Sequence, residues 1–352
     1  MDDHSPDHHA GRAALSVADL IRDGLVLPDQ APVLEEVTEE FRLRLTPEMR
    51  HAATASAAVA RQFVPSAEEL LETPADLLDP IGDEVHAPVP GLTHRYPDRV
   101  ILHVTKTCEV YCRFCFRRET VGATGHLPAD ALEAALSHIA ATPAIWEVIL
   151  TGGDPLVLSP RRLGDLMARL AAIDHVQVVR FHSRVPVVAP DKITEGLLSA
   201  LTATRLTPWM VIHTNHADEL TPAARAAIGR LAGAGIGLLS QSVLLRGVND
   251  SVAALSNLFR ALYQLRVKPY YLHHCDLARG AGHFRTTIAE GQALMAALRG
   301  HLSGPCLPTY VLDIPGGHGK APIGPGYLRH LGSGDWEVTS WTGSRHGYTD
   351  PT

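Results

Sequence analysis

Three cysteines fall close together, Cys108, Cys112 and Cys115, in the string C-E-V-Y-C-R-F-C. The spacing is Cx3Cx2C. Three thiolates can hold three irons of a [4Fe–4S] cluster and leave the fourth iron open to a small molecule, to which it can pass an electron. A cluster that only carries electrons normally has four protein ligands, so an open iron points to chemistry. The alternative is a structural zinc site. Zinc usually takes four ligands in paired spacing, and no second CxxC or HxxxH stands nearby. A second reactive string is P-G-G-H-G-K, Pro315 to Lys320. A lysine in a glycine-rich loop suits a Schiff base with pyridoxal phosphate. The glycines let the backbone approach a cofactor, and its N–H groups can line an anion site. The amine must be neutral to attack an aldehyde, which calls for burial or for nearby cations. The alternative is a flexible loop with a solvated lysine. The only lysines are Lys106, Lys192, Lys268 and Lys320, so few residues could carry amine chemistry.

These groups need a scaffold, and the chain spells out a repeating one. Residues 1–95 lack strand alternation and are rich in Ala, Glu and Leu. They predict helices and irregular chain, with Thr46-Pro47 as an N-cap and first helical residue. From residue 100, short apolar strands alternate with amphipathic helices. Strands are expected over 100–105, 147–151, 176–182, 209–213, 236–243 and 268–273. Helices are expected over 128–141 and from Ser159-Pro160, Asp191, Thr221-Pro222, Ser251 and Thr287. Six such units imply parallel βαβ crossovers in an open or partial barrel. Folds of this kind place ligands at the carboxyl ends of the strands, where the chain reads T-G-G-D, F-H-S-R, I-H-T-N-H and H-H-C-D. The cysteine loop follows the first strand, at that same end. L-P-T-Y-V-L-D predicts one more strand before the lysine loop. The Gly-, Ser- and Thr-rich remainder holds Trp336 and Trp341, read as packing residues. The expected organisation is an N-terminal tail and helical region (1–95), a barrel (96–305) and a lysine-bearing segment (306–352).

Composition narrows the classes. The chain has 352 residues, 45% hydrophobic and 20% charged, as globular proteins do. Its net charge of −7 argues against a nucleic-acid surface. No apolar run reaches the length of a membrane span, and the acidic, His-rich start (His4, His8, His9) reads as a solvated tail rather than a signal or transit peptide. A reducing cytoplasm is expected from the cysteine usage. Cys275 and Cys306 stand apart and are read as buried free thiols.

With Cx3Cx2C after the first strand of a six-fold β/α pattern, the chain resembles the radical SAM superfamily. The resemblance implies that S-adenosylmethionine binds the open iron and is cleaved to a 5′-deoxyadenosyl radical. Gly152, Gly153 and Asp154 match that superfamily's G-G-D motif beside the S-adenosylmethionine amino group, although Gly-Gly-Asp also makes ordinary turns. Gln241 is a further contact candidate, and Tyr111 and Phe114 either shield the cluster or fill the core.

From about residue 86 to 328 the chain is similar to the lysine 2,3-aminomutase family. The matching strings are P-V-P-G-L-T-H-R-Y-P-D-R-V, the cysteine loop, G-G-D, S-V-L-L-R-G-V-N-D-S, K-P-Y-Y-L-H-H-C-D-L, G-H-F-R and D-I-P-G-G-H-G-K. The resemblance implies that Lys320 carries pyridoxal phosphate and that Arg95, Tyr96 and Arg99 grip and pack it; a plain ion pair with Asp98 is the other reading of Arg99. It implies that Arg117 binds the substrate α-carboxylate and that Asp276 and Asp313 hold the substrate's ε-ammonium, although Asp313 could instead cap a turn. His318 interrupts the family's run of glycines before the lysine. The implied reaction is L-lysine to L-β-lysine. The implied partners are an electron donor such as flavodoxin or ferredoxin and a second copy of the chain. The strings C-R-F-C-F-R-R, G-G-D-P-L, H-S-R-V-P-V-V and Y-Y-L-H look more like a shorter branch serving elongation factor P, so a lysine linked to that factor, or another cationic amino acid, is the alternative substrate.

Overall fold

The computed structural model of the chain describes residues 12–122 and 125–351. Its main sheet has nine strands: β1 (Leu92–Tyr96), β2 (Arg99–Thr105), β3 (Glu147–Gly152), β4 (Val178–Ser183), β5 (Thr207–His213), β6 (Gly237–Leu244), β7 (Lys268–His274), β8 (Thr309–Asp313) and β9 (Lys320–Pro322). They lie side by side in chain order. Strands β2 to β8 are parallel, and β1 and β9 run antiparallel at the two edges. A strand order without reversal is that of a βα barrel rather than a doubly wound sheet. The edges do not pair with each other, so the barrel stays open. The six expected units are β2 to β7, each followed by a helix, and β8 adds a seventh parallel strand.

Local chemistry sets the helix starts. Ser159, Thr221, Ser251 and Thr287 each accept a backbone N–H of the following first turn, satisfying a donor that the helix cannot. The helix expected from Asp191 starts later, at Glu195, under a Thr194 cap. A short 3-10 turn, Pro190–Lys192, comes first. Thr46 and Pro47 open a helix as expected.

Period-two alternation divides the sheet into two faces. Val148, Leu150, Val179, Phe181, Met210 and Ile212 are fully buried in the main core cluster. Their neighbours Thr151, Arg180, His182 and His213 line a cavity instead. One face is therefore core and the other a site.

Two elements were not anticipated. Strand β1 lies where helix and irregular chain were expected, because L-T-H-R-Y is short and half polar. The Gly-, Ser- and Thr-rich end forms a separate antiparallel sheet of β10 (Leu328–Gly332), β11 (Asp335–Thr339) and β12 (Arg345–Thr349). In it Trp336 packs on His330, while Trp341 is 58% exposed. Cys275 and Cys306 are buried free thiols. His4, His8 and His9 lie outside the described residues. No helix among the described residues is long and apolar enough to cross a membrane.

Candidate active site

A cavity of about 400 Å³ opens at the carboxyl ends of the strands. Cys108, Cys112 and Cys115 line one part of it, and Lys320, Asp313 and Asp276 another. Arg117 also lines it, as do Arg95, Tyr96, Arg99, Gly152, Gly153, Asp154 and Gln241. Of the site residues expected from sequence, all but Tyr111 therefore border one space.

The cysteine loop has no regular structure of its own, so other segments must hold it. Gly153 N–H donates to Thr105 O (2.6 Å) and Asp154 N–H to Thr107 O (2.8 Å). A β-carbon on Gly153 would sit 2.2 Å from Thr107 O, so only glycine fits there. The Asp154 carboxylate is taken up by chain donors: Ser183 Oγ (2.7 Å) and the amides of Leu156, Arg184 and Val185. From the other side, the N-terminal helical region clamps the loop. Glu69 is buried and accepts from Arg113 (2.5 Å) and from Arg118. Burial opposes ionisation of Glu69, yet the two guanidinium groups hold its carboxyl below the ordinary range.

Burial also pushes the thiols up, Cys108 well above the ordinary value and Cys115 to about 11, with mutual repulsion adding to both. All three thiols are free and half-buried. Among the described residues, no three His, Cys, Asp or Glu side chains converge as the ligands of one ion would. Three thiols on one loop in Cx3Cx2C spacing suit a cluster whose irons each take one thiolate. Arg184, which sequence reasoning missed, donates to Cys112 Sγ at 2.7 Å. Its other terminal nitrogen reaches Glu219 Oε2 (2.5 Å) and Gln62 Oε1 (2.7 Å), and its plane faces Phe63 and Phe114. The F-H-S-R string at the end of β4 was the available signal. Phe114 is buried and Tyr111 only half-buried.

At the other end, β8 and β9 form a hairpin in which Asp313 and Lys320 are register partners. Lys320 Nζ pairs with Asp313 Oδ1, and His273 Nδ1 lies 3.1 Å from Oδ2. A carboxylate is thus the direct partner of this amine, where burial or nearby cations were expected. Burial opposes ionisation of Asp313, but His273 and Lys320 outweigh it and hold its carboxyl well below the usual range. Gly316, Gly317 and Gly319 adopt φ of +84°, +85° and +92°. His318 occupies the one position of the four with no positive φ, and it is exposed, so it leaves this loop intact. The loop nests on the segment before β1. His86 Nε2 meets Gly317 O at 2.8 Å, and Lys320 N–H donates to Tyr96 Oη at 3.1 Å. Arg99 stacks on Tyr96 at 3.9 Å and pairs with Asp98 at 2.6 Å, the ion pair that was one of its two readings. Arg95 donates to Ile81 O and leaves its Nε without a partner.

Arg117 Nε donates to Asp83 Oδ2 at 2.7 Å, a second partner that sequence reasoning missed. Asp276 has no partner for its carboxylate among the described residues. Burial first, then Asp313, pushes it up to about 7, against the pull of Lys320 and Arg117. Gln241 stands between His213 and Tyr271 in the sheet register. His182 and His213 point at the cavity with Nε2 unpartnered, and burial holds both rings neutral. Orphaned buried donors and acceptors are rare in a finished interior.

Residues 295–352 match the family model described as lysine-2,3-aminomutase. The chain is 43% identical to L-lysine 2,3-aminomutase of Fusobacterium nucleatum, over 83% of this chain and 69% of that protein. It is 42% identical to the enzyme of the same name from Acetoanaerobium sticklandii, over 86% and 73%. Among solved structures, a radical SAM methyltransferase from Sphaerobacter thermophilus aligns with a TM-score of 0.43 at 20% identity, over 63% of this chain and 68% of that one. At such identity and coverage, the chain belongs to the lysine 2,3-aminomutase family of isomerases.

Proposed function

We propose that this chain converts L-lysine to L-β-lysine, with a [4Fe–4S] cluster, S-adenosylmethionine and a pyridoxal phosphate carried on Lys320. The observation that carries the reading is that one cavity is bordered by three free thiols and by a lysine with two acids, with Arg117 on its wall as well. When bound, the cluster and S-adenosylmethionine supply an electron and a hydrogen-abstracting radical, and pyridoxal phosphate supplies a reactive carbonyl and a delocalised ring.

The chain's own side chains do the rest. Cys108, Cys112 and Cys115 each take one iron, in a loop fixed by Gly153, Glu69 and Arg184. Gly152, Gly153 and Gln241, with His182 and His213, border the space for S-adenosylmethionine. Arg95, Tyr96 and Arg99 flank the base of Lys320 and offer planar donors suited to a phosphate. Arg117, oriented by Asp83, takes the substrate carboxylate. Asp276 and Asp313 take its distal ammonium. A glutamate in that place would add a third carboxylate, at roughly 4 kcal/mol of repulsion per pair for charges about 4 Å apart. The apolar walls keep water from the reacting carbon. A reduced electron-transfer protein such as flavodoxin or ferredoxin would deliver the electron.

The test is anaerobic reconstitution with iron, sulfide, pyridoxal phosphate and S-adenosylmethionine, then reduction and amino-acid analysis. Appearance of β-lysine is expected. Cleavage of S-adenosylmethionine without β-lysine would sink the substrate reading. Lys320→Ala is expected to lose the pyridoxal absorbance. A second reading, lysine joined to elongation factor P, rests on the short-branch strings such as C-R-F-C-F-R-R. A mass change on that factor, with none on free lysine, would select it.

A further inference from the structure

We propose that Lys320 is a tethered occupant of the substrate's ammonium site, so that pyridoxal phosphate must load before lysine can bind. This rests on the reading that Asp276 and Asp313 hold the substrate ammonium. Three observations support it. First, Lys320 Nζ sits on Asp313 Oδ1, and His273 takes Oδ2, so both oxygens of this acid are committed. Asp313 is only 6% exposed, and water offers little replacement. Second, the amine is returned to the same place by its backbone. Asp313 and Lys320 are register partners, Ile314 N–H donates to Gly319 O at 2.8 Å, and Tyr96 Oη holds the Lys320 amide. Third, the opposite pole behaves alike: Arg117 is held by Asp83. In the unloaded protein the substrate's two charged ends would each meet a group already paired. Asp276 alone among these charged groups has no partner.

The competing cation is chemically the same as the ligand's end, a primary ammonium on a four-carbon stem. It differs in being attached. An attached ligand competes at an effective concentration that a free one must match. Loading removes the competitor. The Lys320 ammonium gives one proton to solvent, the neutral amine condenses with the cofactor aldehyde to form one carbon–nitrogen double bond, and the aldehyde oxygen leaves as water with the amine's two hydrogens. The nitrogen is then bonded to the cofactor, and Asp313 Oδ1 is open to the incoming ammonium.

The experiment is binding of L-lysine to the full chain carrying its cluster but no pyridoxal phosphate, followed by ligand-observed NMR. Wild type is compared with Lys320→Met, which keeps the stem and removes the charge, with Lys320→Ala, and with Lys320→Met/Asp313→Asn. Lys320→Met and Lys320→Ala are expected to bind lysine at least tenfold more tightly than wild type, and Asp313→Asn is expected to cancel the gain. Wild type binding as tightly as Lys320→Met, with Asp313 still required, would overturn the tethered-occupant proposal and leave the ammonium site standing. Tight binding that survives Asp313→Asn, or no binding to either Lys320 variant, would overturn both.

Discussion

Asp276→Asn should make the ligand-free protein more stable, and only above acidic pH. The half-buried Asp276 has no hydrogen-bond partner for its carboxylate among the described residues, and desolvation with Asp313 nearby pushes it up to about 7 from an ordinary 3.8. A folded value above the unfolded one means that the folded state binds the extra proton between those values. Stability therefore falls as pH rises from about 4 to about 7, and the full penalty applies above 7. At 1.36 kcal/mol per pH unit the ceiling is ~4 kcal/mol at pH 8, and ~1.6 kcal/mol at pH 5. Water entering the cavity will relax part of this, so about half is expected: ~2 kcal/mol at pH 8 and under 1 kcal/mol at pH 5. For a chain of this size the unfolding entropy, about 2.1 cal/mol/K per residue, makes 1 kcal/mol worth roughly 1–2 °C. Asn keeps the shape and removes the charge, so thermal unfolding without lysine should rise by about 3 °C at pH 8 and hardly move at pH 5. Lysine should reverse the order, stabilising the loaded wild type and not the variant. A variant no more stable than wild type at pH 8, or a gain equal at both pH values, would refute the argument. The same titration makes lysine binding to the loaded protein strengthen as pH rises through about 7, the range in which Asp276 gains its charge.

Three further predictions follow the same reasoning. Arg184→Gln removes a donor and a positive charge from Cys112 Sγ, so cluster reduction should become about tenfold less favourable, ~59 mV for one electron; potentiometry should find Arg184→Lys closer to wild type. Glu69→Ala leaves Arg113 and Arg118 buried without their acid, a loss of about 3–5 kcal/mol, and should lower the iron retained after reconstitution. Gly317→Ala places a β-carbon at φ +85°, 2.9 Å from His86, so pyridoxal loading measured by absorbance should fall while iron content stays unchanged.

The parts of this fold legible in sequence are those written in neighbouring residues. Ser159-Pro160 and Thr221-Pro222 announce helices because caps act over three residues. Apolar runs such as V-I-L-T mark strands buried on both sides. The Cx3Cx2C spacing and the lysine loop are equally local. Strand β1 escaped notice because an edge strand needs no continuous apolar face. The three-stranded sheet at 328–349 escaped it because its exposed strands are as polar as a loop. The charge pairs were hidden for another reason. Asp83 with Arg117, Glu69 with Arg113, and Arg184 with Cys112 join residues far apart in the chain, and nothing near either partner names the other. Arg117 and the cysteine loop both depend on such pairs.

The open barrel has a consequence for how the protein is made. Its two edges, β1 and β9, are bridged by His86 with Gly317 and by Tyr96 with Lys320, residues 231 and 224 positions apart. Tyr96 and Lys320 both border the cavity. During synthesis the three thiols emerge early and fold with the first strands, while Lys320 follows every parallel strand of the sheet. The nascent chain therefore passes through a stage with its cluster ligands made and no wall to enclose them. Cluster insertion can begin then, but an oxygen-sensitive centre would stand uncovered until the last hairpin docks.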